Sequence, residues 1–193
     1  ESLNGFASYA NSFRTPSEGQ VFRGGREATA AKAQAAAESL LNLKPVVVDN
    51  FELGLRGKSG QTNYEMSVYH MVKQDDIVSL TGPAPVFQRT VVNAGETLHR
   101  GVEFGLGTPL TQDLRLDLSL SYAKHTYQKW TLSGTLDYSG KEIEAAPRSI
   151  ANTRLTYAPG FLNGGRLQAE WFRLGSYWLD QANTGKYRGH DIV

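Results

Sequence analysis

Residues 114–122 read LRLDLSLSY. Leu114, Leu116, Leu118, Leu120 and Tyr122 fall on one face of an extended chain, and Arg115, Asp117, Ser119 and Ser121 on the other. Side chains in a strand alternate between faces with period two, so one face here is wholly apolar and the other wholly polar. A half-buried strand of a soluble sheet has the same pattern. What decides the fold is whether the pattern recurs and how its copies are joined.

It recurs. Phe51, Leu53 and Leu55 oppose Glu52, Gly54 and Arg56; Tyr64, Met66 and Val68 oppose Glu65, Ser67 and Tyr69. Val102, Phe104 and Leu106 oppose Gly101, Glu103 and Gly105. Leu155 and Tyr157 oppose Asn152, Arg154 and Thr156, and Leu167, Ala169 and Trp171 oppose Arg166, Gln168 and Glu170. No charge falls on the apolar face in these stretches, where Arg or Lys at mid-bilayer would cost about 2–4 kcal/mol. Arg173 breaks the rule: its parity puts it outside, either snorkelling at an interface or rephased by a bulge. Eight strands are expected, at 3–13, 47–58, 62–73, 97–107, 113–126, 149–158, 165–179 and 187–193.

The connections alternate in length. Ser59 to Gln61, Thr108 to Gln112 and Pro159 to Gly164 are short; Arg14 to Val46, Gln74 to Glu96, Tyr127 to Arg148 and Asp180 to Lys186 are long. Short turns at one end and long loops at the other are the rhythm of an outer-membrane β-barrel, with the long loops outside the cell. All seven prolines lie in loops or at strand ends, as the missing N–H requires. Gly60 and Gln61 suit a two-residue hairpin turn, and Asn163–Gly164 marks another. Within the first long loop, residues 27–41 (EATAAKAQAAAESLL) hold seven alanines and predict a short surface helix or a mobile stretch. The fold class expected is therefore all-β, a transmembrane antiparallel barrel or part of one. A complete eight-stranded structural or adhesion barrel and a soluble β-sandwich binding module remain as alternatives.

Composition narrows the function classes. The 193 residues carry a net charge of +1 and 40% hydrophobic residues, with a mean hydropathy of −0.39. That balance offers no basic face for nucleic acid. There are no cysteines, hence neither disulfides nor thiolate metal sites. No run approaches the length of a transmembrane helix, a test that a barrel escapes. Glu1 is no initiator methionine, Leu3 onward already reads as strand, and Tyr187 to Val193 stops within one. The sequence is expected to be an internal piece of a longer protein.

Four phrases carry a resemblance. They are FASYANSFRTPSEGQVFRG at 6–24, LNLKP at 41–45 with NFELGLRG at 50–57, VNAGETLHRGVEFGLGTPL at 92–110, and YSGKEIEAAPRSIANTRLTYAP at 138–159. In kind and order they resemble the later barrel segments of TonB-dependent outer-membrane receptors; Val46 stands where the family phrase carries Glu. The resemblance implies a bacterial outer-membrane barrel of about 22 strands filled by a plug. It also implies energy supplied by an inner-membrane coupling protein acting through that plug. The cargo implied is a scarce nutrient, usually a ferric siderophore, with haem or cobalamin as variants. Residues 1–193 would be a partial barrel domain, lacking the plug and both barrel ends. Outer-membrane lipid and lipopolysaccharide would surround it.

No enzyme is indicated: there is no Gly-x-Ser-x-Gly elbow, phosphate loop or His-Glu-x-x-His, and His70, His99, His125 and His190 lack metal-ligand spacing in sequence. Neither a resident metal nor a cofactor is expected. Parity assigns Glu52, Arg56, Glu65, Glu103, Arg115, Asp117, Arg154 and Glu170 to the lumen. It puts His99, His125 and Tyr127 there too, near the outer ends of adjacent strands. Ordinary barrel lining is the plainer reading and cargo contact the sharper one. Arg14, Arg23, Arg26, Arg89, Tyr127, Trp130 and Tyr138 lie in or at the long loops. From these, Arg89, Tyr127 and Trp130 join His99 and His125 as candidate cargo contacts, since cations and aromatics suit an anionic or planar iron complex. Girdle aromatics and lipopolysaccharide-facing arginines are the competing account. Tyr157, Trp171, Tyr177 and Trp178 are assigned to the girdle. Counting out from Gly60–Gln61 sets Arg56 opposite Glu65 and predicts an ion pair there.

Overall fold

Strict polar–apolar alternation leaves each strand with one face that water accepts and one that it does not, and the strands assemble so that these faces coincide. In the computed structural model, residues 1–18, 34, 37–38, 40–81, 89–93, 95–133 and 136–193 are described. The strands are β1 (Ser2–Arg14), β2 (Val46–Ser59), β3 (Thr62–Gln74), β4 (Ile77–Thr81), β5 (Arg89–Asn93), β6 (Glu96–Pro109), β7 (Leu114–Lys129), β8 (Thr131–Ser133), β9 (Leu136–Asp137), β10 (Ser149–Tyr157), β11 (Leu167–Leu174), β12 (Tyr177–Trp178), β13 (Lys186–Tyr187) and β14 (His190–Ile192).

Eight of them form one antiparallel sheet in the order β1-β2-β3-β6-β7-β10-β11-β14. Each strand pairs with the next long one in the chain, so the sheet is a meander with β1 and β14 as its edges. It is neither a closed eight-stranded barrel nor two packed sheets, and both alternative architectures are set aside. Six of the expected strands match to within a few residues. The expected strand 165–179 ends at Leu174 instead. A Cβ on Gly175 would sit 2.3 Å from the Ser149 hydroxyl, and the Gly175 amide bonds the Ser149 carbonyl at 2.7 Å. That bond continues the β10–β11 register by one more pair; beyond it the chain leaves the sheet, and β12 pairs with β13 in a separate hairpin. The expected strand 187–193 is split likewise at Gly189, where φ is 87°. The second long connection carries the hairpin β4–β5, and the third carries β8–β9. Of the expected helix at 27–41, Gln34, Ala37, Glu38, Leu40 and Leu41 are helical, and the remainder lies outside the described residues.

Register fixes the faces. Ser59 pairs with Thr62 across the turn, with Gly60 at φ 59°, the glycine-first arrangement of a type II′ hairpin. Direct partners share a face, and the ladder links Arg56 to Glu65, Ser67 to Glu103, Gly107 to Asp117, and Asp117 through Arg154 to Glu170. With Glu52 and Arg115 in the same phase, all eight residues assigned to the lumen lie on one polar face. The expected Arg56–Glu65 ion pair does not form. The Arg56 guanidinium lies over the Phe6 ring instead, 5.8 Å from its centroid. Phe6 shares the polar face because it is the partner of Gly54, whose lack of a Cβ leaves room for the ring.

The other face is apolar and uncovered. Leu53 is 60% exposed, Leu55 51%, Met66 48% and Tyr122 55%. Most buried side chains gather instead at the long-loop end, where Val46, Thr97, Ala123, Tyr127 and Trp130 lie. There the apolar face also becomes charged. His70, Arg100 and Lys124 are successive partners in one row across β3, β6 and β7. Arg173 is on this face as parity required, partner of Ala151 with no bulge in between. Its guanidinium bonds Asp191 on β14 at 3.1 Å.

Candidate functional site

The polar face divides into two zones. Toward the short turns it carries local ion pairs. Arg115 holds Asp117 (Nε to Oδ1 3.0 Å), and Arg154 holds Glu170 (3.2 Å), whose other oxygen accepts from Asn152 at 2.6 Å. Exposed pairs of this kind contribute little to stability, about 0–1 kcal/mol each. They make the face hydrophilic without closing it.

Toward the long loops the face is built from rarer chemistry. His99 on β6 is the direct partner of His125 on β7, and their Nδ1 atoms lie 2.8 Å apart. A bond between two imidazole nitrogens needs one protonated and one bare nitrogen. The other nitrogen of His99, Nε2, is 3.0 Å from the hydroxyl of buried Thr97. On the opposite side, His99 is the partner of Met71, which is the partner of Asn50. One row thus runs Asn50, Met71, His99, His125 across four neighbouring strands, and the Asn50 side-chain oxygen is buried without a partner. Beside the row, the Lys73 ammonium is held by Asp76 at 2.7 Å.

Tyr127 and Trp130 are covered rather than open. Their rings stack at 4.4 Å between centroids, and the Tyr127 hydroxyl donates to Glu144. Glu144 also accepts from Gln181 at 3.3 Å. Both aromatics anchor the third long connection against the end of β7. Arg89 opens β5, and its side chain lies outside the described residues, as do Arg23 and Arg26.

Two loops dock beside the row. The Ile143 amide bonds the His125 carbonyl at 3.0 Å. Asn183, at φ 57°, uses its side chain as a substitute peptide group. Its oxygen accepts from the Glu142 amide at 2.9 Å and its nitrogen donates to the Glu142 carbonyl at 2.8 Å. Arg148 clasps the Glu142 carboxylate through Nε at 2.7 Å and through Nη2. Hydrogen bonding to that guanidinium holds the Glu142 carboxyl below its ordinary range, and the same bond pushes Arg148 up. Backbone amides of Gly185 and Thr184 likewise hold Asp180 down.

Sequence reasoning named His99 and His125 but not their contact. It missed Met71, although counting out from Gly60–Gln61 already pairs Met71 with Asn50. It missed Asn183, Glu142 and Arg148, whose roles depend on loop docking. Among the described residues no group of three or more His, Cys, Asp and Glu is placed to hold a metal.

A family model described as TonB dependent receptor-like, beta-barrel, matches residues 1–193. Among solved structures, the copper transporter OprC aligns with a TM-score of 0.71 at 18% identity, over 98% of this chain and 28% of its own. The unliganded ferric citrate transporter FecA aligns with a TM-score of 0.70 at 20% identity, over 100% and 27%. BauA, the ferric preacinetobactin receptor from Acinetobacter baumannii, aligns with a TM-score of 0.68 at 17% identity, over 98% and 26%. At such identities the likeness is one of fold, and the chain spans between 26% and 28% of the length of these structures.

Proposed function

The chain belongs to the TonB-dependent receptor β-barrel family, and from that premise we propose that it forms part of the wall and outer loops of an outer-membrane active-transport receptor for a scarce nutrient, a ferric siderophore in the first instance. The family is one of receptors and transporters rather than enzymes. The observation that carries the reading is the uncovered apolar face, with exposed Leu53, Leu55, Met66 and Tyr122 backed by a largely polar face. A sheet of this kind is stable where lipid covers one side and a wet channel the other. Further strands of the parent barrel must then satisfy the edges β1 and β14, because unpaired backbone is not tolerated in lipid.

In this reading the polar face lines the lumen around a plug carried elsewhere in the parent chain. The long-loop end faces the cell exterior and the short turns the periplasm. The exposed charges of the lower zone keep the path wet. His99 and His125 meet cargo at the mouth, while Tyr127 and Trp130 hold the loop that frames it. An inner-membrane energy-coupling protein, acting on the plug, opens the path, and lipid and lipopolysaccharide flank the wall.

The test is uptake of radiolabelled ferric siderophores by cells that carry the full receptor, with and without the coupling protein. Coupling-dependent accumulation of at least one ferric siderophore is expected. Coupling-dependent uptake of haem, cobalamin or a sugar instead refutes the siderophore assignment and keeps the receptor class. Passive, unselective leakage refutes the class.

A further inference from the structure

The row Met71, His99, His125 has a geometry that barrel lining does not need. Two imidazoles from different strands meet through their Nδ1 atoms at 2.8 Å, and a thioether residue stands directly across from the first of them on the same face. Two nitrogens bound to one ion through bonds of about 2.0 Å, and separated by this distance, subtend about 90° at it. Once both rings turn their Nδ1 lone pairs from each other toward one ion, the pair can take two adjacent positions of a square-planar or tetragonal site. We propose that Met71, His99 and His125 bind a copper ion at the long-loop end of the polar face.

The donor set points to copper. Imidazole suits copper, nickel and zinc; a thioether favours the softer ions; and copper(II) heads the divalent affinity series. Met is long and flexible enough to reach from a strand about 4.8 Å away. The three residues are only partly covered, which leaves a further coordination position open to solvent. Thr97 positions His99. When both Nδ1 atoms face the ion, each ring carries its one proton on Nε2, and the His99 Nε2–H then donates to the Thr97 hydroxyl already 3.0 Å away. The proton that joined the two Nδ1 atoms thus moves to Nε2 of its own ring, and binding releases none. The nearby ammonium of Lys73 does not oppose the ion alone, because the Asp76 carboxylate neutralises it. The proposal concerns the bare ion and does not rest on the siderophore assignment.

The experiment uses the full receptor in detergent, stripped by a chelator and titrated with copper(II) chloride. The expected electron paramagnetic resonance spectrum is axial, with superhyperfine splitting from two imidazole nitrogens. The paired substitution His99→Ala with His125→Ala is expected to abolish that splitting and weaken binding by at least about 100-fold, beyond the loss typical of outer-shell changes. Met71→Leu keeps the two-nitrogen spectrum but loses copper preferentially after reduction with ascorbate. Thr97→Val keeps both nitrogens and weakens binding about tenfold or more. Heat-modifiable gel mobility reports that each variant has assembled. If the paired variant fails to assemble, His125→Asn alone decides, with one-nitrogen splitting expected. An unchanged spectrum in the histidine variants, or tighter binding of zinc(II) or nickel(II) than of copper(II), overturns the proposal. Siderophore uptake by the same cells is read separately, so loss of copper binding with normal uptake leaves the transport reading standing.

Discussion

Replacing Asn183 by Leu tests how the outer loops are held beside the histidine row. Asn183 makes two well-formed bonds to the Glu142 backbone, at 2.9 and 2.8 Å, and a longer one to the Asp180 carbonyl at 3.3 Å. A neutral hydrogen bond contributes about 1 kcal/mol net, so the two good ones supply about 2 kcal/mol. The residue also sits at φ 57°, a region that Asn tolerates and that costs most other residues about 1–2 kcal/mol. Leucine, nearly the same size but unable to bond, should therefore destabilise docking by about 3 kcal/mol. That raises the open fraction of the loop by about a hundredfold at about 1.4 kcal/mol per factor of ten. Hydrogen exchange reads the result at Ile143, whose amide bonds the His125 carbonyl, and at Ala145, whose amide bonds the Trp178 carbonyl. Both should exchange about a hundredfold faster, while amides in the β6–β7 ladder keep their rates. Asn183→Asp retains the acceptor and tolerates the backbone, and should show about half the free-energy effect. If Glu142 alone loses protection while Ile143 and Ala145 are unchanged, the loops do not dock as one unit and the reasoning fails.

Other outcomes follow from the same geometry. Gly60→Ala places a Cβ where nothing lies within 4 Å, so its whole effect is the positive φ of the turn, about 1–2 kcal/mol; a denaturant midpoint shift beyond that range would mean that the turn also packs. Glu142 is held below its ordinary range by Arg148, so its stabilising effect is full above the unfolded-state value near about pH 4 and is lost as pH falls through the lower folded value. Loop protection at Ile143 should therefore weaken only in acid, and Glu142→Gln should flatten that dependence; a loss at neutral pH would point to another group. The 193-residue chain made alone, with β1 and β14 unpaired, should aggregate in detergent, and a monodisperse, heat-modifiable monomer would contradict the open-sheet reading.

Much of the sheet was legible in the sequence because period-two alternation is a local signal. Each face assignment needed only the neighbours of a residue in the chain, and the Gly60–Gln61 turn extended it to a neighbouring strand by counting. Arg173 obeyed its parity even against chemical expectation, since Asp191 on the next strand supplies a counter-charge. Legibility stopped where geometry depends on space that sequence does not encode. The strand expected at 165–179 stopped at Leu174 because Tyr177 and Trp178 pair with Lys186 and Tyr187 in a hairpin of their own, a pairing with no period-two signature. Arg56 turned from Glu65 to Phe6 because β1, on its other side, offered an aromatic ring over a glycine. His99 and His125 were each visible as polar-face residues. Their 2.8 Å contact rests on the β6–β7 register, and Met71 joins them only once the register across the second long connection is known. The loop clasp of Glu142, Arg148 and Asn183 had no periodic signature at all.

The row of His70, Arg100 and Lys124 on the apolar face, with Arg173 beyond it, sets a waterline. In the proposed outer-membrane setting, with the apolar face in lipid, these side chains mark where hydrocarbon must give way to headgroups. A strand rises about 3.3 Å per residue, so sinking the wall by two or three residues would drag Arg100 and Lys124 toward the hydrocarbon. There the cost climbs from about 0–1 kcal/mol each at the boundary toward about 2–4 at mid-bilayer. Tipping the wall upward would instead lift leucines into water. On the proposed transport reading, a wall so moored resists vertical displacement, and an inward pull on what the parent barrel encloses would do work on the contents rather than on the depth of the wall.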